Sequence, residues 1–119
     1  MTGAATALLL SGLLAGPAAS QPPPSAGQLR FEAADRAVKE GKIRYFPLKA
    51  VKPQMSGRAV VDCLVEPDGW LTDCRVVEEE PVGYDFGATA LAMSPMMKAR
   101  PEAAGRRIRA PFNFKPPPK

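Results

Sequence analysis

Apolar residues at alternating positions in the centre of the chain predict two strands joined by a tight turn. The first strand spans residues 58–66 and the second spans residues 71–78. Both are rich in β-branched residues and turn one apolar face toward a core. Between them, Pro67 presets φ, Asp68 bonds the local backbone, and Gly69 accepts a positive φ. The centre of the chain is therefore predicted to be a β-hairpin.

Apolar positions before the hairpin recur at a helical spacing instead. Residues 29–40 are predicted to form a short helix, and its weak apolar face predicts loose attachment to the rest of the domain. Tyr45 and Phe46 are predicted to be an aromatic anchor. A second short helix should follow them, with Pro47 at its first position.

Helical spacing returns after the hairpin and then gives way to alternation. Asp85 is predicted to cap a helix with its side chain, and Pro95 is predicted to interrupt that helix. The apolar stripe of this helix consists of Phe86, Ala90, Met93 and Met97. Residues 107–114 alternate again and predict a third strand.

The order of these elements predicts the topology of the sheet. A hairpin makes the first two strands antiparallel, and the helix after it returns the third strand antiparallel to the first. We therefore predict an α+β fold with a three-stranded antiparallel sheet of order 2-1-3 and helices on one face. The third strand is then an edge strand, which Pro111 tolerates and which the charges of Arg107 and Arg109 protect from unwanted pairing.

The two cysteines, Cys63 and Cys74, lie on the two strands of the hairpin. A two-residue loop would place them opposite each other, whereas a three-residue loop would place Cys63 opposite Asp73. In the second case, the apolar pattern of the return strand requires a β-bulge at Thr72-Asp73, which again brings the cysteines together. Both routes predict a buried structural disulfide.

Composition narrows the function classes. The 119 residues, 45% of them hydrophobic, correspond to one small domain with tails. No histidine is present, and the two cysteines are not spaced as a metal or redox motif, so we expect no enzyme, metal or cofactor and no small-molecule substrate. A net charge of +4 without a dense Lys/Arg run does not favour nucleic acid.

Several single features complete the predictions from the residues. Residues 1–20 have a short apolar core and a small-residue site, which predicts a signal peptide cleaved before Gln21 and export to an oxidising compartment. Trp70 could anchor a partner or cover the sheet edge, and the sequence leaves both open. The hairpin carboxylates are interpreted as capping or solvating groups: Asp62, Glu66, Asp68 and Asp73.

The order of these motifs resembles the C-terminal domain of TonB energy-transducing proteins. The matching stretches are YFPLKAV, SGRAVVDCLVEPDGWLTDCRVV, GYDFGATALAM, ARP and the final alternating strand, over residues 45–115. Outside this match, the proline runs and the apolar spacing predict a linker with a short helix at residues 21–44 and a Pro-rich tail at residues 116–119.

The resemblance implies a periplasmic, non-enzymatic module that binds the TonB-box peptide of an outer-membrane transporter. Binding would occur by strand addition to the last strand, which comprises Arg107, Ile108, Arg109, Ala110, Pro111, Phe112, Asn113 and Phe114. Eight clear linker residues, 21–28, reach only about 28 Å, and cleavage of the N-terminus would remove any link to the inner membrane, so the sequence leaves force transmission open. The alternative function is a stand-alone envelope interaction or structural protein, which could form a homodimer through the same strand. The alternative to a cleaved signal peptide is an N-terminus that anchors the protein in the inner membrane.

Overall fold

The computed structural model describes residues 22–118. Its helices are α1 (Ala26–Lys39), α2 (Leu48–Val51) and α3 (Phe86–Met93), and its strands are β1 (Gly57–Val65), β2 (Leu71–Glu80) and β3 (Arg107–Phe114). Two 3-10 turns, Ser94–Met96 and Pro101–Ala103, connect α3 to β3. The predicted signal peptide lies outside the described residues. Between residues 22 and 118, no helix is both long and apolar enough to span a membrane.

The three strands form one antiparallel sheet in the order β2-β1-β3, which confirms the predicted topology. The ladder between β1 and β3 is unbroken, running from Gly57 opposite Phe114 to Leu64 opposite Arg107. The ladder between β1 and β2 shifts its register twice. The central strand therefore has one regular neighbour and one irregular neighbour.

The two register shifts are bulges in β2. One lies opposite Asp62–Leu64, where Asp73 has a φ of 51°, and it corresponds to the bulge predicted at Thr72-Asp73. The other lies where Val61 pairs with Val76 and Val60 pairs with Glu78, so that Val77 has no opposite residue. The alternation of the sequence did not indicate this second bulge.

The core lies between the sheet and the helices that cover one of its faces. Phe86 of α3 is fully buried, and its ring contacts those of Phe46 at 6.0 Å and Phe114 at 5.3 Å, measured between centroids. Tyr45 is 55% exposed, so of the two predicted aromatic anchors only Phe46 packs inward. Pro47 is the residue before α2 and not its first residue.

Helix α1 begins earlier and packs more firmly than the sequence predicted. The Ser25 hydroxyl accepts a hydrogen bond from the Gln28 amide at 3.0 Å, so this cap starts the helix at Ala26 instead of Leu29. Phe31 stacks on Trp70 of the hairpin with ring centroids 4.9 Å apart. A Cβ at Gly27 would lie 2.6 Å from the Trp70 ring, so only glycine allows this approach. The prediction of loose attachment was wrong, because long-range aromatic contacts replace the weak apolar stripe.

Helix α3 confirms one predicted feature and corrects two others. Pro95 does end the α-helix, since the chain continues from Met93 as a 3-10 turn. Asp85 precedes the helix with a left-handed φ of 66°, and its side chain makes no capping hydrogen bond; its carboxylate instead lies 3.6 Å from the Lys49 ammonium. Met97 lies beyond the helix and is 41% exposed, so it is not part of the apolar stripe.

Candidate interaction edge

The predicted cysteine pair meets at the first bulge of β2. The two sulfur atoms of Cys63 and Cys74 are joined at 2.06 Å, with their Cα atoms 4.1 Å apart. Cys63 is fully buried, whereas Cys74 is half-buried at the edge of the core. The pair ties the central strand to β2 beside Asp73, and the presence of this disulfide in the exported protein stays a prediction.

All four hairpin carboxylates hold partners elsewhere in the chain. Glu66 forms an ion pair with Arg30 of α1, and Asp68 accepts a hydrogen bond from the Ser25 hydroxyl. This hydroxyl is the main reason that the pKa of Asp68 lies below its usual value. The two carboxylates therefore fasten α1 to the hairpin tip, a role that their clustering around a turn did not indicate.

Asp62 and Asp73 both bind the guanidinium of Arg107, so the side chain of this β3 residue contacts both other strands of the sheet. Arg107 Nε donates to Asp62 Oδ1 on β1, and Arg107 Nη1 donates to Asp73 Oδ2 in the β2 bulge at 3.0 Å. Arg107 Nη2 also donates to the Asp73 carbonyl at 2.8 Å. The hydrogen bond from Arg107 holds the pKa of the Asp62 carboxyl below its usual value, and the same bond raises the pKa of Arg107. This guanidinium, although on the predicted binding strand, is occupied within the domain.

The backbone of β3 alternates between groups that face β1 and groups that face outward. At the start of the ladder, the Val65 amide donates to the Arg106 carbonyl at 2.9 Å, so hydrogen-bonded positions recur at every second residue from there. Ile108, Ala110, Phe112 and Phe114 therefore turn their N–H and C=O groups toward β1. The backbone groups of Arg107, Arg109, Pro111 and Asn113 point away from the sheet.

No strand of the described chain pairs with the outer side of β3. Pro111 falls at an outward position, so its missing N–H removes no bond from the β1–β3 ladder. The free edge consequently offers three N–H donors, from Arg107, Arg109 and Asn113, and four carbonyl acceptors. The side chains at these four positions lie on the face opposite the helices, whereas Phe112 and Phe114 are buried in the core.

The opposite edge, on β2, is far less regular. Two bulges interrupt it, and the segment after α3 covers its beginning. The Leu71 amide donates to the Met97 carbonyl at 3.3 Å, and the Ala99 amide donates to the Gly69 carbonyl at 2.8 Å. An edge with bulges and a covering segment is a poor template for a further strand.

Trp70 belongs to this covered end of β2. Its ring is half-buried against Phe31, and the Lys98 ammonium lies 4.9 Å from the ring centroid. Of the two roles that the sequence left open, the structure supports the second, because Trp70 packs between α1 and the end of the hairpin and covers the sheet edge there.

Three surface clefts, of about 270, 240 and 330 Å³, lie away from β3. The first lies between the α1–α2 connection and α3, the second beside Cys74 and Pro95, and the third at Ser25 and Asp68. Since no residue of β3 lines any of them, the candidate interaction site is the straight edge and not a cavity. The geometry defines a small α+β domain in which one regular sheet edge, on β3, is unpaired within residues 22–118.

Comparison with known proteins identifies the family to which this domain belongs. The family of the Gram-negative bacterial TonB protein C-terminal matches residues 32–116, which is most of the chain, and the chain belongs to this family. Domains of this family are non-enzymatic protein-interaction modules that in general act with outer-membrane receptors.

Among solved structures, the chain is similar to the NMR solution structure of the Helicobacter pylori TonB C-terminal domain. The sequence identity is 21% and the TM-score is 0.47, over 71% of this chain and 92% of that chain. No curated protein sequence matches the chain.

Proposed function

We propose that this domain binds the TonB-box peptide of an outer-membrane TonB-dependent transporter by adding the peptide as a fourth strand beside β3. The single observation that carries the proposal is the unpaired outer side of β3, next to an unbroken ladder with β1. Backbone hydrogen bonds would supply the affinity, as in other strand-addition complexes.

The arrangement of the core supports this role. Phe112 and Phe114 are buried on the helix side of β3 and pack with Phe86. The strand is therefore held in an extended conformation before any partner arrives. A preformed edge lowers the entropy lost on binding, because only the peptide has to be ordered.

The proposed location is the periplasm, where domains of this family act in general. Cleavage before Gln21 would release the domain into that compartment, and its oxidising conditions would keep the Cys63–Cys74 pair joined.

Nuclear magnetic resonance with a synthetic TonB-box peptide tests the proposal. The amides of Arg107, Arg109 and Asn113 should gain protection from hydrogen exchange when the peptide binds, because each would donate to the new strand. The amide of Glu79 on β2 serves as an internal control and should not change. A peptide N-methylated at alternate residues should fail to protect the β3 amides. Unchanged exchange at all three amides with several TonB-box peptides would contradict the proposal.

Self-association through the same edge is the second candidate, and the same unpaired strand motivates it. Two copies paired through β3 would each contribute Pro111, so the shared ladder would lack two donors. We therefore expect a weaker homodimer than peptide complex, and small-angle scattering across a concentration series measures it.

A further inference from the structure

Three charged residues lie in one row across the outer face of the sheet. Asp62 on the central strand is opposite Arg75 of β2 on one side and opposite Arg109 of β3 on the other. Side chains at such paired positions have Cβ atoms about 4.5–5.5 Å apart. A single carboxylate therefore lies between two guanidinium groups of equal charge.

A third guanidinium, that of Arg107, forms the ion pair with this carboxylate. Its Nε donates to Asp62 Oδ1 and its Nη2 donates to the Asp62 carbonyl at 3.1 Å. Within residues 22–118, neither Arg109 nor Arg75 has a carboxylate within ion-pair distance. Arg107 thus forms direct ion pairs with Asp62 and Asp73, whereas Arg109 on the free edge lies opposite Asp62 without forming an ion pair with it.

The other outward positions of β3 carry no free charge. Pro111 and Asn113 are neutral, and Arg107 is already bound to two carboxylates. A strand added beside β3 would place alternate side chains on the outer face, next to this row. Only one of those side chains would lie beside the guanidinium of Arg109, which has no ion pair within residues 22–118.

We propose that Arg109 is a specificity-determining residue that selects an acidic residue, Asp or Glu, at a single outer-face position of the docked strand. This inference rests on the proposed function, because it requires a peptide paired with β3. The guanidinium can donate two parallel hydrogen bonds to a carboxylate. A lysine at the same peptide position would face an equal charge, which disfavours its pairing.

The test uses a TonB-box peptide in which each residue in turn is replaced by Glu, Gln or Lys. Dissociation constants are measured by fluorescence anisotropy at low and high salt. With the wild-type domain, one position should favour Glu over Lys by about three- to tenfold, since exposed ion pairs are individually weak. High salt should reduce this preference.

Two matched charge-reversal variants distinguish a local contact between Arg109 and the peptide from a general effect of the net charge of the domain. Arg109→Glu should invert the preference at that one position, and Arg109→Gln should abolish it. Arg75→Glu changes the net charge by the same amount beside the same Asp62, but Arg75 is two strand spacings, about 10 Å, from Arg109 and three strand spacings from the docked peptide. It should leave the preference unchanged. Circular dichroism of each variant checks that the fold is retained.

The outcomes distinguish this inference from the function on which it rests. Peptides that bind with equal affinity whatever their charge would overturn the selection by Arg109 and leave strand addition standing. Equal effects of Arg109→Glu and Arg75→Glu would also overturn it, because the preference would then come from net charge. If no peptide binds the wild-type domain, the proposed function falls and the inference falls with it.

Discussion

The two edges of the same small sheet differ in regularity, cover and charge. Within residues 22–118, the β3 edge is unbroken against β1 and has no strand on its outer side, and Arg109 and Asn113 flank the one outward position that lacks an N–H, at Pro111. The β2 edge carries two bulges, a covering segment at Met97–Ala99 and an acidic end at residues 78–80.

The difference shows how a domain with only three strands can present one template for pairing and not two. Every open sheet has two edges, and an unprotected one can recruit unwanted strands. Here the disulfide, the bulge at Asp73 and the Trp70 cluster all lie at or beside β2. The bulges and the segment that covers the start of β2 make this edge irregular, whereas the outer side of β3 is unpaired in the described chain.

Removing the disulfide is expected to have the largest effect on stability. Replacing Cys63 and Cys74 together by alanine should lower the free energy of unfolding by about 3 kcal/mol, because the short loop is no longer closed in the unfolded chain. Urea unfolding measures the change. The affinity of the folded variant for a TonB-box peptide should stay within about twofold, since β3 pairs with β1 and not with β2.

Reductant provides the control for this experiment. It should lower the unfolding midpoint of the wild-type protein to that of the double variant and leave the double variant unchanged. Equal midpoints for the oxidised wild type and the double variant would contradict the stabilising role of the disulfide.

Truncation of Trp70 should open the covered end of β2. Trp70→Ala removes the stacking on Phe31 and the contact with Lys98, and we expect a loss of about 2 kcal/mol in unfolding free energy. Hydrogen exchange should accelerate in α1, whose attachment depends on this ring. Trp70→Phe keeps an aromatic face and should retain most of the protection. If α1 exchanges at the same rate in wild type and Trp70→Ala, other contacts hold the helix.

A second proline on the free edge should weaken peptide binding without weakening the fold. Asn113→Pro removes an outward N–H that β1 does not use, and the loss of one hydrogen bond of about 1 kcal/mol corresponds to about fivefold in affinity. Asn113→Ala keeps the N–H and serves as the matched control. Titration calorimetry compares the two variants, and equal affinities would mean that the docked strand does not use this position.

The smallest expected effect is the pH dependence of the stability that the hydrogen bond between Arg107 and Asp62 contributes. The hydrogen bond from Arg107 lowers the pKa of Asp62 in the folded state, so the ionised carboxylate contributes stability above the unfolded pKa of about 4. That contribution is lost as the pH falls through the lower folded pKa. The melting temperature of Asp62→Asn should therefore lie below that of the wild type near neutral pH, and the two should converge in acid.

Arg107→Gln is the companion variant for this measurement. It removes the donor instead of the acceptor, so its difference from the wild type should also shrink in acid. A difference between Asp62→Asn and the wild type that stays constant from neutral to acidic pH would show that ionisation of Asp62 is not coupled to folding.

The sequence predicted the sheet well because local patterns encode it. Alternation identified all three strands, the Pro67–Gly69 stretch identified the turn, and the parity of apolar residues around Cys74 indicated the bulge at Asp73. The 2-1-3 order followed from connection rules, and Pro111 indicated the edge. The second bulge at Val77 was missed because only glutamates follow it in β2, at residues 78–80, so no apolar residue reveals the change in parity.

What the sequence by itself determined is the sequence of strands and helices, the strand order, the meeting of the two cysteines and the strand that forms the regular edge. Only the tertiary structure decided how the surface charges are distributed and how α1 is held. Arg107 reaches Asp62 across 45 positions of sequence, and Ser25 reaches Asp68 across 43. Such pairs depend on the packing of distant segments, which local periodicity does not encode. For this reason the ion-paired guanidinium of Arg107 and the guanidinium of Arg109, which forms no ion pair within residues 22–118, are distinguishable only in the folded domain.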